Sequence, residues 1–185
     1  LIHLARGFLL PGVDNGVLFE ESAMSDTTRI RPATAADVPL ILSLIRELAE
    51  YEKLLHEVTA TEADLRAALF GARPSAECVI AEHAGKPAGF ALFFHNFSTF
   101  LGKPGIYLED LYVKPELRGK GIGRKLLAHL AALTLQRGCG RFEWAVLDWN
   151  APAIKFYQGL GAKMMESWKI NRLAGEPLKK LAAEA

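Results

Sequence analysis

The chain holds 185 residues with a net charge of +1; half are hydrophobic and 23% are charged. That length supports one domain with a full core, and that charge excludes the broad basic face that general nucleic-acid binding needs. The two cysteines, Cys78 and Cys139, lie far apart without metal-ligand spacing and read as reduced thiols of a cytoplasmic protein, and no apolar run approaches the ~18 residues of a membrane span.

The first 23 residues, LIHLARGFLLPGVDNGVLFEESA, precede Met24. Pro11 and Gly12 break their apolar run, the basic start is thin and no A-x-A site follows, so the marks of a signal peptide are missing. Residues 1–23 are expected to be an upstream, non-native leader and residues 24–185 the domain; the other reading is an arm that packs on the domain or a partner.

After Met24, TRIRPA predicts a short strand. AADVPLILSLIRELAEYEKL carries Val38, Ile41, Leu42, Ile45 and Leu48 at helical spacing, with Thr34 or Asp37 near its cap. TATEADLRAALFG predicts a second helix, capped by Thr61 and stopped by Gly71. ECVIAEH and KPAGFALFFHNF read as strands joined in a hairpin at Ala84-Gly85-Lys86. GIYLEDLYVKP is the next strand, and GIGRKLLAHLAALTLQRG a long helix with Ile122, Leu126, Leu127, Leu130 and Leu133 on one face. RFEWAVLDW reads as a strand, NAPAIKFYQGLG as a helix, and AKMMESWKINRLAG as a strand or hairpin. The early hairpin gives antiparallel pairs and the later strand–helix–strand run a parallel one. The expected fold class is therefore α/β, a single domain with a mixed central sheet and flanking helices.

Between YLEDLYV and the long helix stand Gly119, Gly121 and Gly123, interleaved with Arg118, Lys120, Arg124 and Lys125. A dinucleotide fingerprint would need glycine where Arg124 stands, and no P-loop motif occurs. The turn nevertheless has the physics of an anion site. Glycines reach positive φ, so backbone N–H groups can converge at a helix start where the dipole adds positive potential. The strand before it, the helix after it and the local basic charge favour a pyrophosphate cradle over a solvated loop. The histidines His3, His56, His83, His95 and His129 show no metal spacing, so no metal is expected.

Arg118-Gly119-Lys120-Gly121-Ile122-Gly123 also fits the [RQ]-x-x-G-x-[GA] signature that the GNAT family of N-acetyltransferases carries between a strand and a helix. The resemblance runs from about Thr28 to the C-terminus through IRPATAAD, ELAEYEK, YLEDLYV, RGKGIG and LDWNAPAIKFYQGLGA. Within the family the sequence is most similar to the diamine and thialysine acetyltransferases. The resemblance implies a sheet splayed at the cofactor site. It also implies direct transfer of acetyl from acetyl-CoA to the primary amine of a small molecule: a thialysine-like amino acid, a short diamine or a polyamine. A protein or peptide N-acetyltransferase and a non-catalytic acyl-CoA-binding sensor are the alternatives.

The same resemblance assigns roles. Glu109 and Asp110 are adjacent acids in an apolar strand, where unpaired burial is costly. Alternation places Tyr107, Glu109 and Leu111 on one face and Leu108, Asp110 and Tyr112 on the other. Glu109 is the implied base toward the amine, directly or through water, and Asp110 reads as a structural partner. Tyr157 is the implied proton donor to the leaving thiolate. Leu111, Tyr112 and Val113 would hold the cofactor through backbone N–H groups, together with Arg118, Gly119, Lys120, Gly121, Ile122, Gly123, Arg124 and the helix-capping Asn150. Tyr51, Glu52, Glu109 and Trp168 match substrate-side positions. Thr99 stands where polyamine acetylators carry an aspartate, which favours a short ω-amine over spermine. A homodimer is expected, in part through the C-terminal WKINRLAGEPLKKLA.

Overall fold

The computed structural model describes residues 27–185; the leader expected over residues 1–23 lies outside the described residues. β1 (Thr28–Pro32) leads through a 3-10 turn into α1 (Val38–Tyr51) and α2 (Glu62–Phe70). Next come β2 (Glu77–His83), β3 (Lys86–Ser98), β4 (Lys103–Val113), α3 (Ile122–Gln136), β5 (Phe142–Trp144), α4 (Ala151–Gly159) and α5 (Gly175–Ala182). The strands form one five-stranded sheet in sequence order. Pairing is antiparallel through β4 and parallel between β4 and β5, where α3 makes the crossover. This is the mixed α/β sheet that the sequence implies.

Strand alternation divides the core in two. On one face Val79, Ala81, Phe93, Ile106 and Leu108 pack under Ile122, Leu126, Leu127 and Leu130 of α3. On the other, Ile80, Phe90 and Tyr112 pack under Val38, Ile41, Leu42 and Leu44 of α1 and Leu65 and Leu69 of α2. Local chemistry fixes the element starts. The Thr61 hydroxyl accepts from the Asp64 N–H at 3.2 Å while the Asp64 carboxylate accepts from the Thr61 N–H at 2.9 Å, a reciprocal cap on α2. Arg31 donates to Asp37 at 2.8 Å and to Glu82 at 2.6 Å, tying β1 to the start of α1 and to β2. At Gly89 a Cβ would sit 2.2 Å from the Tyr112 carbonyl oxygen, so only glycine allows β3 to lie this close to β4.

Two expectations are corrected. RFEWAVLDW yields only the three residues of β5, which pair with Ile106, Tyr107 and Leu108 and then leave β4. AKMMESWKINRLAG forms neither strand nor hairpin, and Met164, Met165, Trp168 and Ile170 are exposed. A strand is stable only against a partner edge, and among the described residues none is paired with that segment.

Candidate active site

The site begins with an irregularity in β4. Asp110 pairs with Leu92, but the next pair is Leu108 with Phe93, so Glu109 is an extra residue, a β-bulge. The bulge reverses the parity of the strand. Leu111 and Val113 pack in the α3 cluster with Leu108, whereas Tyr112 packs in the α1/α2 cluster with Leu92, the cross-strand partner of Asp110. The face assignment from simple alternation therefore fails beyond Leu108. Glu109 is exposed at the bulge, and Asp110 turns toward α1.

Because β5 stops pairing at Leu108, the edge of β4 beyond it is open. A cleft of about 610 Å³ lies there. The end of α1 contributes Leu48, Tyr51 and Glu52, and β4 contributes Glu109, Asp110, Leu111, Tyr112 and Val113. The glycine turn adds Arg118, Gly119, Gly121, Ile122, Gly123 and Arg124, and α4 adds Asn150, Phe156 and Tyr157. Lys120 and Trp168, both named from sequence, are exposed and do not line it. Thr99 lies in the β3–β4 turn; the strand from Lys103 to Glu109 puts roughly 20 Å between that turn and the cleft. Thr99 is not among the residues of this chain that line the cleft.

The glycine turn has the geometry of an anion site. Gly119 and Gly121 both have φ of +78°, with no atom within 4 Å of a built Cβ at either. Gly121 is the N-cap of α3; it supplies no side-chain cap, and the first turn holds no acid. The first N–H groups of a helix lack internal partners, and the dipole makes that end positive. Arg118 and Arg124 add charge at the rim. This open cradle fits a pyrophosphate. The Arg118 Nε–H donates to the Val113 carbonyl at 3.0 Å, and its guanidinium lies 4.6 Å from the Tyr51 ring centroid. The Tyr51 hydroxyl donates to Asn150 Oδ1 at 3.4 Å, and that same oxygen accepts from the Ala153 N–H at 3.3 Å. Arg118, Tyr51 and Asn150 thus bind the turn, the end of α1 and the start of α4 together around the cleft mouth.

The cleft lining is also acidic and aromatic. Tyr157 stands edge-on to Trp144, with centroids 5.2 Å apart. Burial, then the charge of Glu52, raises its phenol above the usual range and keeps it a proton donor. Among the described residues no side chain hydrogen-bonds its hydroxyl, leaving it available to a ligand. Burial also raises Glu52. Asp110 is pushed up to about 6, by burial first and then by the charges of Glu109 and Glu52. Its expected structural partner is absent: among the described residues nothing hydrogen-bonds or ion-pairs with it. Asp110 is the site residue that sequence reasoning missed. The signal was the acidic pair itself, read without the bulge.

The acetyltransferase (GNAT) family model matches residues 42–162, spanning both the glycine turn and the carboxylate wall. The chain belongs to the acetyltransferase (GNAT) family. It is 42% identical to the thialysine N-epsilon-acetyltransferase of Mus musculus, over 84% of this chain and 98% of that protein. It is 34% identical to the L-ornithine N5-acetyltransferase of Arabidopsis thaliana, over 82% of this chain and 86% of that protein. An integron cassette protein from the mobile metagenome of V. cholerae is 29% identical and superposes with a TM-score of 0.71, covering 84% of this chain and 98% of its own. As a GNAT member with relatives named as acetyltransferases, the chain is an acetyltransferase enzyme. Among the described residues no helix is long and apolar enough to cross a membrane.

Proposed function

We propose that the enzyme transfers acetyl from acetyl-CoA to the ω-amine of a small cationic molecule, a thialysine-like amino acid or a short diamine. The observation that carries this is the lining of one cleft, which brings together an open basic helix start, three carboxylates and the Tyr157 phenol. Acetyl-CoA supplies the activated acetyl group. Arg118, Arg124 and the N–H groups at Gly121, Ile122 and Gly123 would hold its pyrophosphate. The free edge of β4 between Leu111 and Val113 offers backbone N–H groups to the thioester oxygen. Glu52 and Glu109 attract the ammonium, and Tyr51 offers it an aromatic face. A cleft carboxylate takes the ammonium proton, and Tyr157 donates one to the departing sulfur. The relatives named for thialysine and ornithine point to an ω-amine on an amino-acid frame.

We assign the enzyme to the cytoplasm, where both free cysteines, Cys78 and Cys139, would stay reduced. We also assign it a homodimeric state, supported by exposed Trp168, Ile170, Leu173, Leu178 and Leu181 along the C-terminal segment. The test of function is calorimetric titration with acetyl-CoA, followed by measurement of CoA release with thialysine, ornithine, putrescine, spermine and an N-terminal peptide. Saturable binding and fastest turnover with a short ω-amine are expected. Turnover of the peptide alone would overturn the reading.

A further inference from the structure

Next to the cleft, β3, β4 and β5 carry a polar corner that neither core uses. Tyr107, two residues before Glu109 on β4, lies opposite Phe94 of β3 and Glu143 of β5. Paired residues share a sheet face, and the Tyr107 and Phe94 rings meet with centroids 5.2 Å apart. Ile106 and Leu108 flank Tyr107 and pack under α3, so the corner lies on the face of α1 and α2. Those helices cover Ile80, Phe90 and Tyr112 there, and none of Phe94, Asn96, Tyr107, Arg141 and Glu143 belongs to either core cluster. All five are half-buried. Gly105 makes the room. A Cβ there would lie 2.3 Å from Asn96 Oδ1 and 3.0 Å from Arg141 Cγ, so only glycine lets both side chains lie across β4.

The charges of this corner are incompletely used. Glu143 Oε2 accepts from Asn96 Nδ2 at 2.8 Å, and Glu143 Oε1 takes no bond among the described residues. Arg141 Nε lies 2.8 Å from Oε2 but off the line of its N–H, and it and Asn96 Oδ1 are buried atoms left without a hydrogen bond. Where this fold uses an arginine–carboxylate pair structurally, the guanidinium forks: Arg31 gives two bonds to Asp37, and Arg137 two to Glu77. Arg141 and Glu143 make no such fork, and their side chains stay 36% and 37% exposed. Burial first, then the charges of Glu109 and Glu143, raise the Tyr107 phenol, which stands between the two carboxylates.

Resting on the acetyl-transfer reading above, we propose that this corner is a distal subsite for the zwitterionic end of an α-amino-acid acceptor. Glu143 takes the α-ammonium over the Tyr107 and Phe94 rings, Arg141 takes the α-carboxylate, and the ω-amine lies at Glu109. The spans agree. Two strand residues and one strand spacing put Glu143 roughly 8 Å from Glu109 along the backbone, and an extended thialysine separates its two nitrogens by about 7 Å. A short diamine offers the ammonium without the carboxylate and uses half of the corner. A longer polyamine would bring a further ammonium against Arg141, which repels it. Glu143 and Arg141 are thus positioning residues that select an amino-acid frame.

The test is steady-state kinetics at saturating acetyl-CoA with thialysine, its Nα-acetyl derivative and its decarboxylated analogue, for the wild type, Glu143→Gln and Arg141→Gln, beside thermal melts. The wild type should have its highest kcat/KM with thialysine. Glu143→Gln should raise KM roughly three- to tenfold for thialysine and the decarboxylated analogue, the range of a half-exposed charged contact, and leave the Nα-acetyl derivative unchanged. Arg141→Gln should raise KM by a similar factor for the two substrates that carry a carboxylate and leave the decarboxylated analogue unchanged. In every case kcat should stay within about twofold. A lost structural contact cannot produce this crossed pattern, because it would lower the melting temperature and impair all three substrates alike. Equal losses on all three, no loss on any, or a wild type that turns over the Nα-acetyl derivative as well as thialysine would overturn the subsite while leaving acetyl transfer intact. A wild type that binds acetyl-CoA but acetylates no amine would instead refute the functional reading, and the subsite with it.

Discussion

Arg118→Ala tests the anion cradle. In the unliganded protein the guanidinium is held by the 3.0 Å bond to the Val113 carbonyl and by its position 4.6 Å from the Tyr51 ring. A charge-assisted contact to phosphate contributes ~1.5–3 kcal/mol. A cation–π contact at an exposed site is worth ~0.5–1 kcal/mol, and any of it given up on binding offsets the gain. The net loss is therefore ~1–2 kcal/mol, a Kd for acetyl-CoA raised roughly five- to thirtyfold. Arg118→Lys keeps the charge but loses the planar fork and the bond to Val113, so it should recover only part of the affinity. Isothermal titration at two salt concentrations reads both variants, and the wild-type advantage should shrink at high salt. An Arg118→Ala protein that is folded and binds acetyl-CoA as tightly as the wild type would refute the cradle.

Tyr157→Phe removes only the hydroxyl of a ring already packed on Trp144, so kcat should fall ~10²–10⁴-fold with the acetyl-CoA Kd within about twofold; a loss of less than threefold, measured by CoA release, would assign leaving-group protonation to water. Asp37 is held well below the usual carboxylate range, chiefly by its hydrogen bonds from Arg31, so its contribution is present above about pH 4 and lost as pH falls through the folded-state value. Asp37→Asn should accordingly cost about 2 kcal/mol in urea denaturation at pH 7 and less at pH 3, and an equal cost at both would contradict the ion-pair account. Light scattering should report a dimer at micromolar concentration, and removal of residues 163–185 should shift it to a monomer; a full-length monomer would sink the assembly proposal.

Much of the fold was legible because period and capping agreed locally. Thr61, Gly71 and the stripe from Ile122 to Leu130 mark their helices with no tertiary information. The Ala84-Gly85 turn has φ of 49° and 74° at those two residues, as a two-residue hairpin requires. The failures share one cause: whether a β-prone run becomes a strand depends on the edge it meets. RFEWAVLDW pairs only while β4 is beside it, and AKMMESWKINRLAG finds no edge among the described residues. Trp168, expected on the substrate side, lies in that segment and is not among the residues that line the cleft.

The site was half legible for a related reason. Motif residues on the turn and on α4 keep their direction whatever the sheet does, so Arg118, Gly121, Asn150 and Tyr157 all line the cleft. Residues on β4 do not, because a single bulge inverts every side chain beyond it. Without the bulge, Asp110 would follow Leu108 under α3, in the apolar cluster of Leu126 and Leu130. With it, Leu111 and Val113 fill that cluster and Asp110 turns to the α1 wall. Glu109, the unpaired residue, is left on the open edge. One irregular position thus keeps both cores apolar and aims two adjacent carboxylates at the cleft from different depths. The adjacency of Glu109 and Asp110 was visible in the sequence; the difference in their environments is a property of the bulge.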